Sequence, residues 1–142
     1  MIRHTVVTGE FPTFDAVAPW MPNAPAWRDR LREAKDQAPS AFTNNAWAVG
    51  ALQAAWSAIT HTPVPDVDPS NHLSDALTTA IRIGHDTDTV AAIAGALLGA
   101  RWGMSAVPQG WLSILHGWPG IDAAELERLA RVIVTQEDEV AT

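Results

Sequence analysis

Apolar residues recur at helical spacing along most of the chain, and segments rich in proline and glycine separate these periodic stretches. The expected helices run from about Pro25 to Gln37, Asn45 to Ile59, Asn71 to Gly84 and Asp88 to Trp102, with a short helix after Pro108 and a last one after Asp122. No convincing strand, hairpin or repeat is visible, and no heptad persists. The pattern therefore predicts an all-α fold with a globular arrangement of helices.

The ends of the expected helices add detail to this outline. Met1 to Gly9 has the pattern of the last turns of a helix, with Gly9 just past its end and its beginning expected upstream. Asn44 or Asn45 is expected to cap the second long helix. Four prolines prevent Phe11 to Ala26 from forming one regular element, and its Phe11, Phe14 and Trp20 are expected to pack against the rest of the protein.

The helix expected at Asp88 to Trp102 is unusual for its small residues. Gly95, Gly99 and Gly103 are spaced four apart on one face, and alanines surround them. An interior glycine costs about 0.5–1 kcal/mol relative to alanine. We therefore expect another backbone to approach this face closely.

The chain is expected to form one domain over 1–142, with a Pro-rich leading segment and helix at 1–40, a helical core at 43–135 and a frayed tail at 136–142.

Composition excludes several classes of function. The 142 residues carry a net charge of −7, with no run of Lys and Arg, which argues against binding to a nucleic-acid backbone or an anionic membrane. The chain has no cysteine, so disulfides, thiolate metal sites and cysteine nucleophiles are excluded, and a reducing cytoplasm is expected. Four of the five histidines (His4, His61, His72 and His116) have no ligand spacing and are expected to be structural or surface residues.

The densest polar cluster is Gly84-His85-Asp86-Thr87-Asp88-Thr89, directly before the glycine-containing helix. Asp86 and Asp88 can converge if one lies in the preceding turn and the other in the first helical turn, but without a cation they would repel each other. Carboxylate and hydroxyl oxygens suit magnesium or manganese, and zinc would favour more histidine. The alternative is that Asp86 or Asp88 is simply the helix N-cap.

The stretch Ile83 to Ala100, IGHDTDTVAAIAGALLGA, resembles the carboxy-terminal metal motif of the ADP-ribosylglycohydrolases, and the resemblance extends over about Thr43 to Leu115. It implies a multi-helix orthogonal bundle, a binuclear Mg²⁺ or Mn²⁺ centre and hydrolysis of the glycosidic bond that links ADP-ribose to a modified target. The residues implied as metal ligands are Asp86, Asp88 and Thr89, and those implied to bind substrate are Trp47, Gly84 and His85, where His85 replaces a glycine common in the family. For Trp47 a packed core position is the alternative.

One part of the family pattern is missing from this chain. The second metal motif and the acidic catalytic residue belong to an amino-terminal half, while Asp66 and Asp68 lie in a Pro-rich loop and are expected to be solvated turn residues. The resemblance therefore implies a carboxy-terminal half, with its catalytic residues unknown. Open apolar faces are expected at Val90 to Leu98 and Trp47 to Ile59, favouring self-association or an amino-terminal partner. A non-catalytic remnant, an assembly module, or a metal-binding protein of another lineage are the alternatives.

Overall fold

The computed structural model describes the backbone of residues 1–140 and the side chains of residues 1–133. Its helices are α1 (Ile2–Thr8), α2 (Phe14–Val17), α3 (Ala24–Asp36), α4 (Ala48–His61), α5 (His72–Arg82), α6 (Thr87–Trp102), α7 (Gln109–Leu112) and α8 (Ala123–Val140). Short 3-10 turns join several of them. The all-α prediction is confirmed. Two compact units are formed, Met1–Ala106 and Val107–Thr142. The single domain expected from the sequence stays a prediction.

The core of the first unit lies where α4, α5 and α6 meet. These three helices pack against one another, α3 packs on α4, and α1 packs on α6. Alanines supply much of the contact surface, and their small side chains let the helix backbones come close together. The fully buried ones are Ala34, Ala51, Ala54, Ala55, Ala58, Ala76, Ala80 and Ala94. Val90, Leu97 and Leu98 of α6 complete this core, so α6 is fixed in place along its length.

His72 ties three of these elements together from inside the core. Its ring is 1% exposed, and its Nε2 lies 3.1 Å from the carbonyl oxygens of Ile59 and Thr62. Its Nδ1 accepts a hydrogen bond of 3.2 Å from the indole N–H of Trp102. Nε2 is therefore the protonated nitrogen, and the neutral ring satisfies every partner. His72 is structural, in agreement with the expectation for the histidines outside the acidic cluster.

The first 23 residues differ in part from the sequence-based picture. The helix predicted to end at Gly9 is confirmed, because Gly9 has φ 70° and its N–H donates to Thr5 O. Phe11 packs against Trp56 as expected. Trp20 does not pack down: its side chain is 83% exposed, because the 3-10 turn that carries it places it on the surface.

The second unit is small. A two-residue strand pair, β1 (His116–Gly117) and β2 (Ile121–Asp122), is antiparallel and leads into α8. The expectation of no strand is wrong here, because the turn between Gly117 and Gly120 brings the chain back on itself. Asp122 caps the start of α8, because its Oδ1 accepts from Glu125 N–H at 2.9 Å, while the Glu125 carboxylate binds Arg128. Helix α8 reaches Val140, so the tail predicted to fray at 136–142 is helical to that point, and residues 141–142 lie outside the described part.

Two packing expectations for the first unit are wrong. The apolar faces of α4 and α6 are not open, because they face each other and α5; Ile59 and Leu98, for example, are buried. No backbone approaches the glycine face of α6 either: a Cβ at Gly99 would meet nothing within 4 Å, and one at Gly95 would meet only Leu77 Cδ2 at 3.7 Å. Within the described residues, no helix has both the length and the apolarity to cross a lipid bilayer.

Candidate metal and substrate site

The acidic cluster forms a tight turn that places two carboxyl groups at the start of α6. Gly84 and His85 have φ values of 82° and 62°, both in the left-handed region. Glycine adopts this conformation without steric cost, whereas an ordinary side chain is disfavoured there. The backbone at His85 thus adopts a conformation that favours glycine. The two left-handed residues reverse the chain after α5, so that α6 begins at Thr87.

Asn45 holds this turn from the neighbouring segment. Its side chain is fully buried, its Nδ2 donates to Gly84 O at 3.1 Å, and its Oδ1 accepts from Asp86 N–H at 3.0 Å. The predicted role of Asn44 or Asn45 as the cap of α4 is wrong, since that helix begins at Ala48 with Trp47 in the cap position. Sequence reasoning missed the bridging role of Asn45 because an Asn before an apolar helix is typical of a local N-cap. The local pattern also gives no sign of a hydrogen-bond partner so far along the chain.

Asp86 and Asp88 are brought together by the turn. Their carboxyl groups lie within hydrogen-bonding reach of each other, and this contact, followed by the N–H of Thr89, lowers the pKa of Asp88 below its ordinary value. Asp86 occupies the N-cap position, yet its side chain makes no capping hydrogen bond. The position of Asp86 thus agrees with the N-cap interpretation, while the missing capping hydrogen bond leaves its carboxyl group available to a ligand.

The donor set fits a hard divalent cation in kind but not in number. The possible ligands at the helix start are the Asp86 and Asp88 carboxyl groups and the Thr89 hydroxyl. This hydroxyl has no hydrogen-bond partner among the described residues. Magnesium and manganese take about six oxygen ligands, so this chain would supply only part of the coordination sphere. Within the described side chains, no group of three His, Asp or Glu residues is arranged to hold a metal. Asp66 and Asp68 are exposed loop residues, and Asp68 caps the turn at Ser70.

Trp47 lies two residues beyond Asn45, at the beginning of α4. Its indole is 48% exposed, so the packed-core interpretation is wrong. The Arg30 guanidinium stacks over the ring at 5.0 Å from the centroid and orients it. The structure therefore places Trp47 on the surface and ties its segment to the acidic turn through Asn45. The role of Trp47, Gly84 and His85 in binding substrate stays a prediction.

Comparison with known proteins decides the family. The sequence profile of the ADP-ribosylglycohydrolases matches residues 1–141. The chain belongs to the ADP-ribosylglycohydrolase family. The family is one of hydrolases that act on ADP-ribose linkages.

Among curated family members, the chain is similar to ADP-ribosylhydrolase ARH3 from Bos taurus and from Homo sapiens. Each is 39% identical over 61 residues, which is 42% of this chain and 17% of the relative. The Mus musculus protein of the same name is also 39% identical over 61 residues. The matched segment thus spans about a sixth of the length of these relatives. No solved structure matches the chain.

Proposed function

We propose that this chain forms one side of a metal-dependent active site that hydrolyses the glycosidic bond between ADP-ribose and a modified target. The observation that carries the proposal is the convergence of the Asp86 and Asp88 carboxyl groups at the start of α6, with the Asp86 side chain not used for capping. Family membership supports the substrate class. The rest of the site, including the group that transfers the proton, would come from an amino-terminal half or from a second polypeptide.

In this proposal Asp86, Asp88 and Thr89 hold Mg²⁺ or Mn²⁺ at the entrance of α6, as part of a binuclear centre. The bound metal would orient ADP-ribose and activate the water or the leaving group. The positive end of the α6 dipole favours negatively charged groups at this position. Gly84 and His85 border the site, and the exposed Trp47 indole offers an aromatic face to the nucleotide. A cytoplasmic location belongs to the same proposal, on the absence of cysteine.

Metal binding and turnover are tested separately. Isothermal titration of Mn²⁺ into the chain is expected to show saturable binding that Asp86→Asn or Asp88→Asn abolishes. Asp75→Asn is the matched control, since Asp75 is an exposed aspartate in the first turn of α5. ADP-ribose release from an ADP-ribosylated protein is then followed with the chain alone and with an added amino-terminal half from a family member.

The outcomes separate the candidate functions. Metal-dependent release that needs the added half supports the proposed hydrolase. Mn²⁺ binding without release under either condition supports the non-catalytic alternative. Equal Mn²⁺ binding by wild type and both site variants would overturn the assignment of Asp86 and Asp88.

A further inference from the structure

A large cavity lies in the first unit, away from the acidic turn. It has a volume of about 820 Å³ and is bordered by α3, the segment 11–17, the last turns of α4 and the loop 62–64. Ligand pockets commonly measure about 300–1,000 Å³. Asn45 and Trp47 lie at the beginning of α4, whereas the cavity adjoins the end of this helix. Helix α4 has 14 residues, so its two ends are roughly 20 Å apart at about 1.5 Å per residue. The cavity is therefore separate from the candidate metal site.

The floor of the cavity is apolar and partly aromatic. Phe11 meets Trp56 edge to face, with 6.1 Å between ring centroids, and Phe14 lines the adjoining wall. Leu31 and Ile59 contribute buried aliphatic surface. Aromatic rings favour offset or edge-to-face contact with another ring, so this floor suits an aromatic body.

The rim of the cavity is basic, in a protein whose net charge is −7. Helix α3 presents Arg28, Arg32 and Lys35 to the cavity at helical spacing. Asp15 is the acidic residue of the lining, and the 3.0 Å ion pair with Arg28 neutralises it. Arg32 lies 3.7 Å from Asp29, which is outside the lining. The residues of the lining itself therefore keep a net positive charge, and Lys35 is the member of the rim without an ion pair in the described part of the chain.

We propose that this cavity binds a small aromatic anion, with the aromatic body on the floor and the charged group at the rim of α3. The apolar floor alone would accept any aromatic compound, whereas the cationic rim selects one that carries negative charge. The acidic remainder of the surface disfavours binding of the same anion elsewhere. The inference does not depend on the metal site or on hydrolysis.

The probe is 8-anilinonaphthalene-1-sulfonate, compared with N-phenyl-1-naphthylamine, which has the same aromatic body without the sulfonate. Titrations use the full chain without metal, at low ionic strength. The anionic probe is expected to bind at least about 10-fold more tightly than the neutral one, which corresponds to one decade in Kd. Lys35→Glu and Arg32→Glu are each expected to weaken the anionic probe by about 5–10-fold and to leave the neutral probe unchanged.

Two further variants locate the binding. Arg82→Glu makes the same charge change on α5, outside the cavity lining, and should leave both affinities unchanged. Thr60→Trp fills the cavity from an exposed position on its wall and should abolish binding of both probes. The probe should shift the Trp56 indole N–H resonance and not that of the exposed Trp20. Equal affinity for the two probes, or an equal effect of Lys35→Glu and Arg82→Glu, would overturn the proposal.

Discussion

The backbone N–H of Asp86 donates a hydrogen bond of 3.0 Å to the side-chain oxygen of Asn45, 41 residues earlier in the chain. The side-chain Nδ2 of Asn45 also donates to Gly84 O, so one buried side chain fixes the backbone on both sides of His85. The turn between α5 and α6 contains two consecutive residues in the left-handed region, Gly84 and His85, and Asn45 holds it on both sides. The geometry of the two carboxyl groups therefore depends on a residue that carries no charge.

Replacement of Asn45 should disturb both stability and metal binding. Asn45→Ala leaves the Gly84 carbonyl and the Asp86 N–H without their partner, and the expected loss in the free energy of unfolding is about 1–3 kcal/mol. Affinity for Mn²⁺ should fall as well, because the turn is no longer held. Urea unfolding and Mn²⁺ titration measure the two effects. Asn44→Ala, next in the chain and exposed, is the control and should change neither. Unchanged stability in Asn45→Ala would show that the turn holds itself.

The left-handed backbone of His85 predicts a stabilising substitution. With φ at 62°, a side chain at this position is strained, and the exposed His85 ring has no hydrogen bond or ring contact with the described residues that would offset the strain. His85→Gly should raise the free energy of unfolding by about 0.5–1 kcal/mol, while His85→Ala should change it little. Thermal unfolding of the metal-free chain measures both. Destabilisation by His85→Gly would indicate that the imidazole makes a stabilising interaction in solution.

Gly50 and Gly99 form a matched pair with opposite expected effects. A Cβ at Gly50 would lie 2.1 Å from the carbonyl oxygen of Asn44, which is backbone and cannot move aside cheaply, whereas one at Gly99 meets nothing within 4 Å. Gly50→Ala should therefore destabilise the protein by about 3 kcal/mol or more, as overpacking against fixed atoms does. Gly99→Ala should stabilise it by about 0.5–1 kcal/mol through helix propensity. A neutral Gly50→Ala would contradict the close approach of the two segments.

The sequence predicted the helices well because their signals are local. Helix α6 begins within one residue of the predicted Asp88, and α8 follows Asp122 as predicted, since both helix starts depend on residues within one turn. What the sequence misplaced depends on distant partners. Three such features are the bridging role of Asn45, the exposure of Trp20 and the open space beside Gly99. Each depends on which segments contact one another in the folded chain. The local periodicity of the sequence carries no information about those contacts.

Trp47 and Trp56 also show how little the local sequence says about burial. Trp47 and Trp56 both lie in the stretch predicted as one apolar helix, yet Trp47 is 48% exposed and Trp56 8%. Trp56→Ala should cost about 3–5 kcal/mol, as core truncations of tryptophan do. Trp47→Ala should cost less than about 0.5 kcal/mol, which is typical of surface substitutions, and should weaken binding of ADP-ribose in the reconstituted site. Urea unfolding separates the two variants. Equal costs would contradict the surface position of Trp47.

The two carboxyl groups of the acidic turn predict a substitution whose effect depends on whether metal is bound. Contact with Asp86 and with the N–H of Thr89 lowers the pKa of Asp88, so the folded state favours the charged form of this carboxyl group. Asp88→Asn removes that charge at an exposed position, so the metal-free variant should be only slightly less stable than the wild type. Mn²⁺ at about 100 times its Kd should stabilise the wild type by about 2.7 kcal/mol, since only the folded state binds it.

The variant should lose that stabilisation, so the gap between the two unfolding midpoints should widen when Mn²⁺ is added. Differential scanning calorimetry with and without Mn²⁺ records this widening, and Asp75→Asn should follow the wild type under both conditions. A purely structural carboxylate gives a different result: its removal lowers the midpoint equally with and without the metal. Parallel shifts of that kind would therefore argue that the turn serves only to start α6, and a gap that widens with Mn²⁺ would argue that its two carboxylates are held together for a cation.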